Sequence, residues 1–298
     1  MPPIDPSRTI LVTGASSGIG RAVAHRLSDR GDALVLLSRS AESLEEVRRE
    51  CLARGASHVE VAAVDVGDAA AVDDVVDRLV ASAGRLDGVV HAAAVLAYGR
   101  FTQIPVDVFD HIIRTDVLGT ANVARSALRV FEEQRAGSLV VLGSVLGKIA
   151  TPTMSPYCTS KWAVHGLVRT LQIEARRTPG VGVSLVSPGG VNTPIYDLAG
   201  SYTGHAGHPP PPVSSADRVA GRVVAALDRP RRESGVGPAN PLMVLGSRLL
   251  PGVFGRAVGP LMSLLGQSRV RVGPTSGNVF EPRPEGEDVA GRWPRVWG

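Results

Sequence analysis

Thr13-Gly14-Ala15-Ser16-Ser17-Gly18-Ile19-Gly20 decides how the rest of the chain is read. A short apolar run, Ile10–Val12, precedes it, and a helical pattern, Ile19–Asp29, follows. Strand, glycine turn and helix start, in that order, are the context a dinucleotide phosphate loop requires. Gly14 permits the tight turn. Gly18 removes a side chain where a pyrophosphate approaches the backbone, and Gly20 lets helix and strand pack closely. The free N–H groups of the loop residues Ser16, Ser17 and Ile19, with the helix dipole, then face the phosphates. An ordinary strand-to-helix turn is the competing reading. The loop's place at the head of a strand–helix series weighs against it.

That series extends to about Val186. Apolar runs at Ala33–Leu37, Val59–Val64, Gly88–Val90, Leu139–Leu142 and Val181–Val186 alternate with helical periodicity at Ser43–Ala53, Ala69–Ala83, Val106–Glu133 and Trp162–Arg177. Continuous apolar strands between helices predict a parallel sheet covered on both faces. Right-handed crossovers make it an α/β doubly wound, Rossmann-like fold. Further on, a helix is predicted over Ala216–Leu227 and a last short strand over Glu233–Gly237. One or two apolar helices, divided at Pro251, are predicted over Asn240–Leu265. The expected organisation is a dinucleotide-binding catalytic domain over 1–237 with a lid at about 195–213, an apolar helical extension over 238–272, and a Pro/Gly-rich tail over 273–298.

Composition excludes several classes. The chain has 298 residues, 44% hydrophobic and 20% charged, ordinary values for a globular protein with a sizeable core. The formal charge of +4 comes from scattered arginines, without a basic block for nucleic acid. Two cysteines, Cys51 and Cys158, make no disulfide framework and match no zinc spacing, so no metal site is expected. No secretory h-region is visible, and cysteine use suits a reducing compartment, which together predict a cytoplasmic protein. The apolar stretch Pro238–Gly266 is interrupted by Arg248, Pro251, Arg256 and Pro260, a poor spanning segment.

Other motifs stand in order along the chain. Ser144 follows the Leu139–Leu142 run, Tyr157-Cys158-Thr159-Ser160-Lys161 follows it, and Pro188-Gly189-Gly190-Val191-Asn192-Thr193 ends the Val181–Val186 run. With the Thr13–Gly20 loop, these resemble the T-G-x-x-x-G-x-G, serine, Y-x-x-x-K and P-G-x-V-x-T elements of the short-chain dehydrogenase/reductase family, in its single-domain branch. The resemblance runs from about Arg8 to Pro194 and weakens towards Gly237. It implies hydride transfer between a nicotinamide and a carbonyl or alcohol carbon. Tyr157 would be the acid/base, Ser144 the partner of the substrate oxygen, and Lys161 the partner of both phenol and nicotinamide ribose. Pro188, Gly189, Val191 and Thr193 would meet the nicotinamide end, Asp65 and Val66 the adenine, and Ala92 the adenosine ribose.

The residues add physical detail. Tyr157 and Lys161 are four apart, so one helix face carries both. A free phenol titrates near pH 10, and a neighbouring ammonium and a positive nicotinamide would lower that value. A surface helix pair is the competing reading. After the second strand stands Ser38-Arg39-Ser40, where an NAD-selective chain carries an acid. Arg39, helped by Ser38, suits a 2′-phosphate, so NADP(H) is expected over NAD(H). An exposed arginine opening the next helix is the alternative.

Two departures from the family pattern stand out. His91-Ala92-Ala93-Ala94 replaces N-N-A-G, with His91 read as a hydrogen-bonded core histidine. Asp116 stands where the family has an asparagine whose main-chain carbonyl holds a water in the proton relay. Asp116 is taken as a catalytic-site residue, through that carbonyl or through its charge on Lys161.

Tyr196, Tyr202, His205 and His208 in the lid are expected to face a bulky apolar substrate. The resemblance implies a homodimer or homotetramer, paired through about Asp107–Glu133 and Tyr157–Arg177. Trp293 and Trp297 are candidates for anchoring the tail on a neighbouring subunit, a mobile tail being the alternative. Peripheral membrane contact by the 240–265 helices and a non-catalytic, nucleotide-sensing or scaffold role are the competing readings.

Overall fold

Alternation along the strands sets the layers. In the computed structural model, which describes residues 8–293 apart from the side chains at 263, 264, 267 and 269, Ile10 and Val12 of the first strand face one core and Leu11 the other. Seven parallel strands form the sheet: β1 (Thr9–Thr13), β2 (Ala33–Ser38), β3 (His58–Ala63), β4 (Gly88–His91), β5 (Gly137–Leu142), β6 (Val181–Pro188) and β7 (Ser234–Val236). Their spatial order is β7-β6-β5-β4-β1-β2-β3, a doubly wound sheet.

Helices α1 (Gly18–Ser28) and α2 (Ala41–Arg54) share one face with a helix over Ala216–Asp228. There Leu27, Val47 and Val223 fill the core. The other face carries α3 (Ala69–Ala83), the helices over Val106–Gln134, and one over Ser155–Glu174, with Val76, Phe131 and Val168 inside. Side-chain caps begin several of these helices. Ser40 accepts from the Ser43 amide at α2, and Asp68 from the Ala71 amide at α3. Gly55 and Gly84 end the same two helices in the left-handed region.

Three elements differ from the sequence expectation. The predicted helix Val106–Glu133 is α4 (Val106–Ile113), a π-helical turn (Arg114–Leu118) and α5 (Gly119–Gln134). The π turn brings Asp116 into the interior with no exposure. The helix predicted to begin at Trp162 begins at Ser155, as α6 (Ser155–Glu174), because Pro156 sits in its first turn, where proline costs no hydrogen bond. Gln267–Arg271 forms an unpredicted strand paired antiparallel with His205–Gly207 of the lid.

Beyond α7 (Ala216–Asp228) the chain forms α8 (Asn240–Leu249) and α9 (Pro251–Leu265), divided at Pro251 as expected. No helix among the described residues is long and apolar enough to cross a membrane. The tail up to Trp293 lies against the catalytic fold. Trp293 packs on His208 of its own chain, ring centroids 5.1 Å apart, while Trp297 is outside the described residues.

Candidate active site

The carboxyl ends of the central strands meet along one edge, where open α/β sheets bind ligands. β1 delivers Gly14, β4 Ala92, β5 the turn with Ser144, and β6 Pro188. A cavity of about 320 Å³ runs along this edge, and every residue assigned above to the nucleotide lines it. Ser144, Tyr157 and Lys161 line the same cavity, while Asp116 lies behind its wall.

The glycine loop fits a dinucleotide by what it lacks. A Cβ at Gly14 would lie 2.7 Å from the Ala93 amide nitrogen, and its φ of +64° favours glycine. A Cβ at Gly18 would stand 3.2 Å from the Thr193 Cβ, across the channel. The gap between the loop and Thr193 is open because Gly18 has no side chain, while Gly14 lets the loop lie close to the Ala92–Ala93 backbone.

Asp116 holds the catalytic helix from behind. One carboxylate oxygen accepts from the Val95 amide at 2.9 Å and the other from the Ser160 hydroxyl at 2.9 Å. Its main-chain carbonyl accepts from the Thr120 hydroxyl. Burial pushes the Asp116 carboxyl up, while Lys161 and the two hydrogen bonds pull it back. Burial in turn pushes the Lys161 ammonium down, and Asp116 opposes that. No direct ion pair joins the two among the described residues, so Asp116 acts on Lys161 through its field.

The Lys161 nitrogen lies 5.3 Å from the centre of the Tyr157 ring and donates to the Leu142 carbonyl at 3.4 Å. Tyr157 departs from the sequence expectation of a lowered pKa. Desolvation pushes its phenol well above the ordinary tyrosine value, and the Asp116 charge and Tyr196 add to this. The hydrogen bond with Ser144 works the other way and is outweighed. The apolar surroundings of the ring dominate because the cost of desolvating a phenolate is large. The resting site therefore holds a protonated phenol.

His91 is the core histidine expected. Its Nδ1 pairs with the Thr13 hydroxyl at 2.8 Å and its Nε2 with the Thr120 hydroxyl at 3.0 Å. Burial holds it neutral, its pKa lowered to about 3. Asp65 accepts from the Gly67 amide at 2.8 Å, so it shapes its own turn while lining the cavity.

On the substrate side the lid is only partly as expected. Tyr196 lines the cavity, its phenol pushed up to about 12 by burial, whereas Tyr202, His205 and His208 do not line it. Tyr202 packs instead against the cluster of Val95, Ile104 and Val108, and His208 against Trp293. Sequence reasoning missed Tyr98, a buried wall residue near Tyr157 and Tyr196. It carries no motif, and its only signal is a position just past β4. It also missed His165, which supports the Ser144 turn. A Cβ at Gly143 would lie 2.6 Å from its ring, and one at Gly147 2.4 Å. The four-residue spacing Tyr157–Lys161–His165 was the available signal. Met243, Phe254, Leu261 and Leu265 of α8 and α9 complete an apolar chamber.

Comparisons with known proteins agree with this geometry. The family model described as short chain dehydrogenase matches residues 8–201. The human protein "Dehydrogenase/reductase SDR family member 7" is 33% identical over 199 residues, 65% of this chain and 59% of that one. Sepiapterin reductase of Chlorobaculum tepidum is 34% identical over 194 residues, 63% of this chain and 79% of that one. Among solved structures, the alcohol dehydrogenase of Thermococcus sibiricus complexed with 5-hydroxy-NADP superposes with a TM-score of 0.67 at 27% identity, covering 77% of this chain and 96% of that one.

Proposed function

Given that this chain belongs to the short-chain dehydrogenase family and is an oxidoreductase of CH–OH and C=O groups, we propose that it moves hydride between NADP(H) and the carbonyl or secondary alcohol carbon of an apolar substrate, with Tyr157 as acid/base. One observation carries the reading. Ser144, Tyr157 and Lys161 converge on a cavity that continues to the glycine loop on one side and to an apolar chamber on the other.

A nicotinamide dinucleotide, when bound, supplies or takes up the hydride. The protein's own groups do the rest. The Ser144 hydroxyl holds the substrate oxygen, and the Tyr157 phenol gives it a proton during reduction. Lys161, whose charged form Asp116 favours against burial, stabilises the phenolate left behind. Ser16, Ser17, Ile19 and Gly20 hold the pyrophosphate by backbone and hydroxyl groups, and Gly14 and Gly18 leave room for it, the Gly18 amide being taken by the Asp288 carbonyl. Pro188, Gly189, Val191 and Thr193 hold the nicotinamide end, and Asp65, Val66 and Ala92 the adenosine. Ser38 and Arg39 support NADP(H), with NAD(H) as the second nucleotide. The apolar walls near Tyr157 exclude water and favour bulky, uncharged carbonyl compounds.

A panel of aldehydes and ketones tests this. NADPH consumption is expected with large apolar substrates, at a higher kcat/KM than with small polar ones. Tight NADPH binding without turnover on any of them would favour the sensing role and sink the enzymatic one.

We further propose a homodimer or homotetramer paired through α4–α5 and α6. Leu118, Trp162 and Ile173 on that side are 54%, 52% and 65% exposed, an uneconomical placement for a lone chain. Light scattering is expected to return a multiple of the chain mass that falls on Trp162→Glu. A wild-type monomer would end this part of the proposal.

A further inference from the structure

The tail crosses the mouth of the nucleotide cleft from end to end. Thr275 pairs with Ser201 of the lid, and the Asn278 amide donates to the Leu198 carbonyl at 2.8 Å. Arg39 then donates to three successive carbonyls, those of Asn278 at 2.6 Å, Val279 at 2.8 Å and Phe280 at 3.2 Å. Val279 is fully buried beneath this clamp. Further on, the Asp288 carbonyl accepts from the Gly18 amide at 2.8 Å and the Glu287 carbonyl from Arg21 at 3.2 Å. The Trp293 amide closes the run on Asn192 at 3.1 Å. The anchors are thus the 2′-position arginine, the phosphate loop and the P-G segment, all parts of the nucleotide site.

The tail walls the cavity and does not fill it. Asn278, Pro282 and Glu287 line it together with Ser17, Ser38 and Asp65. Two of these tail residues present a buried acceptor without a partner among the described residues, Asn278 Oδ1 and Glu287 Oε2. Buried acceptors are rarely left unpaired, since each costs a lost hydrogen bond. A dinucleotide brings the matching donors, an adenine amino group and ribose hydroxyls. Arg39 spends only three of its N–H groups on the tail, and a guanidinium has five, so two remain for a phosphate.

We infer that Thr275–Trp293 is a strap that completes the cofactor site, closing over the dinucleotide and offering it Asn278 and Glu287 as acceptors. This rests on the dinucleotide reading above. Nucleotide enters and leaves when the strap lifts, a gating step of the kind that limits many turnovers.

The test compares the full chain with one ending at Gly273, following NADPH release by its fluorescence. Release is expected to be at least about tenfold faster without the strap, with affinity weakened to match. Equal release overturns the strap. Tighter binding overturns it too, making the tail a competitor for the site. Should the shortened chain not fold, hydrogen exchange on the full chain decides. Amides at 278–293 are expected to slow on adding NADPH, and unchanged or faster exchange overturns the proposal. Asn278→Ala combined with Glu287→Ala is expected to weaken NADPH binding several-fold, and unaltered binding removes the two side chains from the site. A full chain that binds neither NADPH nor NADH overturns the functional reading along with the strap. One that binds, with the strap indifferent, overturns the strap alone.

Discussion

Tyr157→Phe is expected to reduce kcat by roughly a hundred- to ten-thousand-fold, the range supplied by a positioned acid/base, while NADPH affinity changes little. The ring stays in place because its packing among Met154, Leu96 and Tyr196 does not involve the hydroxyl. Only the proton is lost. The wild-type pH profile carries the same claim. Desolvation raises the phenol above its ordinary value, so the proton-donating form persists through neutral pH and is lost only as pH rises through that raised pKa. Carbonyl-reducing kcat/KM should therefore show no fall between about pH 7 and 9 that depends on Tyr157. A phenol titrating near neutrality in the NADPH-loaded protein would contradict the burial argument. Retained turnover in the Phe variant would remove Tyr157 from the chemistry.

Gly20→Ala is expected to cost the protein both its nucleotide and much of its stability. A Cβ there would sit 2.0 Å from the Gly14 carbonyl oxygen and 2.7 Å from its carbon. Both are backbone atoms of the turn opposite, so no side chain can swing away. The turn must move or α1 must tilt, and each spoils the row of amides that would meet a pyrophosphate. Overpacking of this kind costs about 3 kcal/mol at the upper end of the usual range. For a chain of this size that is a fall in Tm of roughly 5 °C. Calorimetry and NADPH titration read the two effects separately. A variant with native Tm and affinity would show that the close packing of helix and strand does not matter. Gly84→Ala is the contrasting case, where nothing lies within 4 Å and only the φ of +74° resists.

Much of this was legible before any coordinates. The phosphate loop could be read because its chemistry is local. Three glycines and a helix start suffice, whatever the rest of the chain does. The Tyr157–Lys161 pair was readable for the same reason, since helical spacing alone sets it on one face. The direction of the Tyr157 shift was not legible, because it depends on burial against Leu96 and Tyr196 and on the Asp116 charge, all brought from distant parts of the chain. Tyr98 stayed hidden for the same reason. The tail was opaque because proline, glycine and charge predict no regular structure. Its order comes from side chains far back in the sequence, above all Arg39, some 240 residues earlier. The π turn at Arg114–Leu118 likewise has no periodic signature.

α9 stands with one side against the chamber and the other in solvent, where Val253 is 60% exposed. The stretch matched by the family model ends at residue 201, well before this helix begins at Pro251. Part of the cavity wall therefore comes from outside the stretch that the family model covers. Changes at Phe254 or Leu265 can reshape that wall without touching Ser144, Tyr157, Lys161 or the glycine loop. The shape of the cleft can thus be altered by redrawing one late helix, with the sheet beneath it left as it is.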